Sequence, residues 1–238
     1  MPHTSASTGT RCGPSFPATP TRSRPPRAVR LPLAACLAAG LALSGCATAS
    51  SLRSAATPLA TYTLSPLPAP TTPVRSSARV AYVADPTASA AIAGDRIVIK
   101  PDPIRVTLIG DGRWVEALPL HVKSLLARSL ANTGRFAFVA TSTVGPLPDV
   151  TLLTDIDAFE AEVLPAGGAP ARVIVSMTLT VVRDADGRLV ASRRFQKTAE
   201  APATDARSLV LAFEAANDAV LREAIPWATA TMTGRPAV

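Results

Sequence analysis

A chain of 238 residues is long enough for one domain of ordinary size with appendages at its ends. Its formal net charge of +7 invites a polyanion-binding reading, but residues 1–45 hold five of the 24 basic residues and none of the 17 acidic ones. The rest carries 19 basic and 17 acidic residues, no footprint for a nucleic acid, and its only cysteine, Cys46, excludes an internal disulfide or thiolate metal site.

The first 30 residues are rich in Ser, Thr, Pro and Arg and show no periodicity, as an unusually long basic flank or a start codon assigned too early would produce. Arg22, Arg24, Arg27 and Arg30 precede the uncharged run from Leu31 to Leu43. That run has the length of a signal-peptide hydrophobic region and falls well short of the ~20 residues needed to span a bilayer. Leu43-Ser44-Gly45-Cys46 follows in the form of a bacterial lipobox, with small Ser44 and Gly45 letting a peptidase approach an extended backbone. The motif implies a diacylglycerol thioether on Cys46, loss of residues 1–45 and acylation of the new N-terminus by a chain such as palmitate. Ala47 is not the acidic residue associated with inner-membrane retention, so sorting to the outer membrane is expected.

From Ala47 to about Pro73 the composition is again Ser, Thr, Ala and Pro, which reads as a partly extended tether. Within it Ala60-Thr61-Tyr62-Thr63-Leu64 alternates and is β-prone, a candidate first strand. Val80 to Tyr82 reads as a short strand stopped by Asp85-Pro86. Arg96 to Lys100 is a second, broken by Pro101-Asp102-Pro103, and Ile104 to Ile109 a third, turned by Gly110-Asp111-Gly112. The spacing of Leu118, Val122, Leu125, Leu126 and Leu130 predicts a helix with one apolar face. Pro119 suits its first turn, Glu116 the positive end of its dipole, and Gly134 its termination. Burial of those five side chains stabilises by ~1.5–3 kcal/mol each at most, enough to make the face core.

The second half is strand-rich. Phe136 to Val139 is short; Val150 to Val163 alternates through Leu152, Thr154, Ile156 and Ala158; Arg172 to Arg183 places Val173, Val175, Met177, Leu179 and Val181 on one face. Asp184-Ala185-Asp186-Gly187 turns the chain into a hairpin partner from Arg188 to Lys197. After a loop at Ala201 to Thr204, with Thr204 or Asp205 as N-cap, a long helix carries Leu209, Phe213, Ala216, Val220 and Ala224 on one stripe. Pro226 is expected to kink or end it. The fold class is α+β, a mostly antiparallel sheet with two amphipathic helices on one face. The organisation is a signal peptide at 1–45, a lipidated tether at 46–60, the domain at 61–232 and a tail at 233–238.

Motifs for catalysis are missing. No Gly-x4-Gly-Lys-Ser/Thr loop or Gly-x-Ser-x-Gly elbow occurs. His121, the only histidine after the leader, sits one step off the apolar stripe, where a solvated or capping role is expected. Asp155 and Asp157 lie two apart on a strand and point to one face, but lack the oxygen-rich loop of a calcium site, so a solvated face is expected. Arg193 and Arg194 split across the two faces of their strand, one of them marking a sheet edge. Trp114, between a Gly-rich turn and a helix start, reads either as a hydrophobic staple or, with Glu116, as a partner contact. Two helices on one face would leave the other face, or an edge strand, for a partner. No catalytic residue, metal or cofactor is expected.

The motifs in order are Thr61-Tyr62-Thr63-Leu64-Ser65 after the lipobox, Arg96-Ile97-Val98-Ile99, Gly112-Arg113-Trp114-Val115-Glu116-Ala117-Leu118, Asp157-Ala158-Phe159-Glu160 and the Asp184 to Gly187 hairpin. Over roughly Ala60 to Trp227 the chain resembles the ABC-type transport auxiliary lipoprotein family, which includes lipoproteins of the paraquat-inducible protein C type. It departs from the family at Ala84 to Ala93, a bland Ala/Ser loop where a Tyr-Leu-Asp-Arg-Pro-like segment is common. The resemblance implies a non-enzymatic accessory subunit of a lipid-transport system between the two membranes. Its implied partners are an inner-membrane ABC transporter, a periplasmic protein of the mammalian-cell-entry type and the inner leaflet of the outer membrane. A periplasmic adaptor or envelope-assembly lipoprotein with another client is the alternative, and a lipid- or wall-cleaving enzyme a third reading disfavoured by the missing nucleophile and base.

Overall fold

The computed structural model describes residues 59–72, 74–165 and 170–234. The leader, the lipobox Leu43 to Cys46 and most of the tether lie outside the described residues. The sheet is organised by its longest strands. β7 (Val150–Val163) pairs antiparallel along its length with β8 (Ala171–Arg183), and β8 with β9 (Arg188–Ala201). Alternating Val173, Val175, Met177, Leu179 and Val181 on β8 are all fully buried, because every second residue of a strand faces the same layer.

Along the other side of β7 the pairings are short and parallel. β2 (Val80–Val83), β3 (Thr87–Ala88) and β4 (Arg96–Asp102) meet it in succession at Val150–Leu152, at Asp155 and Ile156, and at Ala161 and Glu162. β5 (Arg105–Trp114) returns antiparallel to β4, β1 (Ala60–Tyr62) lies parallel to the end of β5, and β6 (Phe138–Ala140) parallel to β2. The long ladders are antiparallel, so the sheet is mostly antiparallel as expected; the parallel pairs made by β6 and β7 follow a connection that contains the first helix, whereas β1 reaches β5 with only β2, β3 and β4 between them.

The first helix, α1 (Leu118–Asn132), buries Leu118, Val122, Leu125, Leu126 and Leu130, the whole expected stripe. Its end is closed by Gly134 at φ 64°, whose N–H donates to the Ala131 carbonyl at 3.0 Å. The second, α2 (Ala206–Thr233), starts at Asp205, whose carboxylate accepts the Ser208 N–H at 3.1 Å. Its stripe of Leu209, Phe213, Ala216, Val220 and Ala224 is buried and continues through Ile225, Ala228 and Met232.

Four local expectations are corrected by this architecture. Of the two outcomes expected at Pro226, an end to the helix does not occur: α2 runs on to Thr233, because apolar burial beyond the proline outweighs a lost hydrogen bond at an exposed position. β4 continues through Pro101 to Asp102, the turn falling at Pro103 and Ile104. Gly110 to Gly112 is strand and not a turn. A Cβ on Gly112 would stand 2.6 Å from the Ala206 Cβ and 3.0 Å from the Tyr62 ring, so glycine serves close packing there. Finally, β7 carries a bulge between Ile156 and Ala158, which shifts the buried phase from Ile156 to Phe159 and leaves Ala158 half-buried.

Candidate functional site

The most elaborate side-chain arrangement surrounds the segment that follows β1. Residues 63–70 belong to neither sheet nor helix, so their backbone groups must find partners elsewhere. Side chains of the two helices supply them. The Leu64 N–H donates to His121 Nε2 at 3.1 Å, the Ser65 N–H to Glu214 Oε2 at 3.0 Å and the Leu67 N–H to Ser129 Oγ at 3.0 Å. Asn132 Nδ2 donates to the Leu67 carbonyl at 2.6 Å. The strap is thereby laid across α1 and α2, with Leu64 buried against them.

His121 is therefore neither solvated nor a cap: it is 3% exposed. Its ring stacks on Trp114, centroids 6.1 Å apart at 16°. Nε2 accepts, so the neutral ring carries its proton on Nδ1, which lies 3.5 Å from Glu116 Oε1. Burial pushes the imidazole pKa below its ordinary value; the Glu116 and Glu214 carboxylates pull the other way and Arg128 adds to the lowering. The sequence signal was present but weak: position 121 falls in the turn that begins the helix, beside Val122 of the apolar stripe.

Trp114 is 2% exposed and packs edge-on against Phe159 (5.8 Å) and Phe213 (5.3 Å), which stack on each other at 4.9 Å. The expected partner contact at Trp114 is thus corrected, because the indole belongs to the core that joins β5, β7 and α2. Glu116 keeps a partly exposed side chain and is directed at His121.

The carboxylates of Asp155 and Asp157 share the exposed face of β7, as expected, but each has protein partners. Asp155 accepts the Thr87 hydroxyl at 2.8 Å; Asp157 accepts from Thr178 at 3.1 Å and faces Arg194 Nε at 3.3 Å. No group of three or more His, Cys, Asp or Glu side chains suited to a metal occurs among the described residues. Arg194 points to this outer face, while Arg193 lies on the other, its guanidinium 4.9 Å from the Phe195 ring centroid. With Lys100–Glu160 at 2.6 Å and Arg172–Glu162 at 2.9 Å, the outer face is a field of ion pairs worth ~0–1 kcal/mol each.

Two edges of the sheet differ. β9 runs beside β8 only, and its edge is studded with Arg188, Arg193, Arg194 and Lys197, charges that discourage strand addition. β5 is covered by β1 only from Gly112 to Trp114, and its free stretch exposes Val106 (45%) and Leu108 (52%), next to Ile104 (96%) in the preceding turn. No described helix is long and apolar enough to cross a membrane.

With this geometry in hand, comparison with known proteins is decisive at one point: residues 62–224 match the model of the ABC-type transport auxiliary lipoprotein component. The chain belongs to that family. The match begins at the last residue of β1 and ends within α2, so it takes in the strap, the aromatic core and every strand from β2 to β9. Among solved structures, protein XCC0632 from Xanthomonas campestris is similar at TM-score 0.64 and 24% identity, over 73% of this chain and 97% of that one. A second, an uncharacterized protein, is similar at TM-score 0.50 and 18% identity over 71% and 99%. At these identities the likeness is one of fold. No curated protein matches by sequence.

Proposed function

We propose that this auxiliary lipoprotein is a non-enzymatic subunit of a lipid-transport system, held by acyl chains on Cys46 to the periplasmic leaflet of the outer membrane. The observation that carries the reading is the family match over residues 62–224 standing directly behind Leu43-Ser44-Gly45-Cys46. The domain then serves as a docking body for the periplasmic part of the system, a protein of the mammalian-cell-entry type, which connects it to an inner-membrane ABC transporter. A docking role agrees with the chemistry of the described domain, whose single histidine already has both ring nitrogens engaged.

Anchoring by three acyl chains exceeds the two hydrophobic signals that stable attachment requires, so high salt should not release the protein. Metabolic labelling with a fatty-acid analogue, followed by separation of inner and outer membranes on a density gradient, tests the reading. Label in the outer-membrane fraction that vanishes in Cys46→Ser supports it. Label that persists in the variant, or wild-type protein washed off by salt, contradicts it. Detergent sensitivity of a deletion strain, restored by the wild type but not by Cys46→Ser, tests the transport role.

A further inference from the structure

We propose that the strap 63–70 is an acid-released latch, in which protonation of His121 turns the acceptor that holds the Leu64 amide into a donor and lets the strap lift from the two helices. Between Leu64 and Pro70 the prolines at 66, 68 and 70 leave only four backbone N–H groups, on Leu64, Ser65, Leu67 and Ala69. Three of these are received by His121, Glu214 and Ser129. A proline-spaced segment cannot join a ladder, so its attachment depends on these few side-chain acceptors and on Leu64 and Leu67.

A neutral imidazole offers Nε2 as acceptor only while Nδ1 keeps the single proton. Adding a second proton sets one N–H against another 3.1 Å away, inside a site from which water is excluded. The groups facing His121 set how this happens. Glu116, before α1, and Glu214, on α2, favour the cation; Arg128, on α1, opposes it. The strap contributes no titratable group from Thr63 to Val74, and Trp114 only its ring face. Burial dominates, so the ring stays neutral at neutral pH and takes its proton only in acid, where the latch opens. β1 contributes only three paired residues to β5, so it is positioned to follow the strap. Residues 60–70 then form an extended arm of about 35 Å joined to whatever precedes them.

Hydrogen exchange on the full-length protein in detergent, corrected for intrinsic pH dependence, tests the latch at about pH 7.5 and about pH 5. Protection of the 60–70 segment should fall about tenfold or more relative to Val173 to Val181 of β8. His121→Gln, whose amide oxygen accepts without titrating, should remove the acid step, whereas Glu214→Gln should keep it. A parallel nitrogen-15 titration should place His121 protonation at the pH where protection is lost. Strap protection that tracks β8 at both pH values, an acid step that survives His121→Gln, or release while His121 stays neutral would each overturn the proposal.

Discussion

The β7–β8–β9 meander and the strap lie in one domain but are held in opposite ways. The meander is bound by two antiparallel ladders of more than a dozen residue pairs each, with one bulge apiece, and by side chains such as Val175, Leu179 and Phe213, at or near zero exposure. Its attachment is distributed, apolar and insensitive to protonation. Three residues of the strap are held by four hydrogen bonds to four helix side chains, two of which, His121 and Glu214, are titratable. Strength spread over many contacts makes a scaffold; strength concentrated in a few polar contacts makes a part that moves before the scaffold does.

The largest expected effect falls on the meander's packing. Phe213→Ala removes the ring that Phe159 stacks on and Trp114 abuts, and should destabilise by ~3–5 kcal/mol. Leu126→Ala, on the fully buried face of α1, should cost ~2–5 kcal/mol. Urea unfolding measures both; losses under about 0.5 kcal/mol would put these residues at the surface. Next comes Gly112→Ala, where β5 packs against the start of α2 and the β1 residue that precedes the strap. Its Cβ would collide with Ala206 and crowd Tyr62, so a loss of ~1–3 kcal/mol is expected, with β1 exchanging faster. An unchanged melting temperature would mean that this joint has slack.

His121→Ala leaves the buried Leu64 amide without its acceptor and should cost ~1–3 kcal/mol. The wild type should also show a pH dependence of definite sign. Because the folded-state pKa is lowered, the unfolded chain binds the proton more readily, and stability rises with pH. The His121 contribution is complete above about pH 6.5 and shrinks as pH falls from there toward the folded-state pKa. Melts between pH 5 and 7.5 that show the reverse slope at this residue, judged against His121→Gln, would contradict it. The smallest effect belongs to Asp155→Asn with Asp157→Asn. These partly exposed groups should together change stability by under about 1 kcal/mol and leave barrier function intact; a variant that folds yet behaves like a deletion would reveal a site at that face.

The meander and both helices were legible because their burial is periodic: every second residue of β8, every third or fourth of α1 and α2, is apolar. What misled were residues whose local tendency is overridden by tertiary contact. Gly110 to Gly112 has turn composition, yet Gly112 is there because α2 and Tyr62 come too close for a side chain. Pro226 should interrupt a helix, yet apolar positions on both sides keep α2 intact. The bulge at Asp157 shifts the face of β7 without any mark in the residue pattern. The strap was the least legible. Its partners lie 57 to 149 residues away in the chain, and nothing in the alternation of Thr, Ser and Pro announces them.

In-cell crosslinking from the outer face and from the β5 edge, on full-length protein expressed at native level, with the captured proteins identified by mass spectrometry, asks directly whether this domain is a transport subunit. The expected captures are a mammalian-cell-entry-type periplasmic protein and, with it, the permease or ATPase of an ABC-type system, in amounts that drop when Cys46→Ser frees the domain from the membrane. Well-folded, anchored protein that captures no component of any ABC-type system would contradict the account.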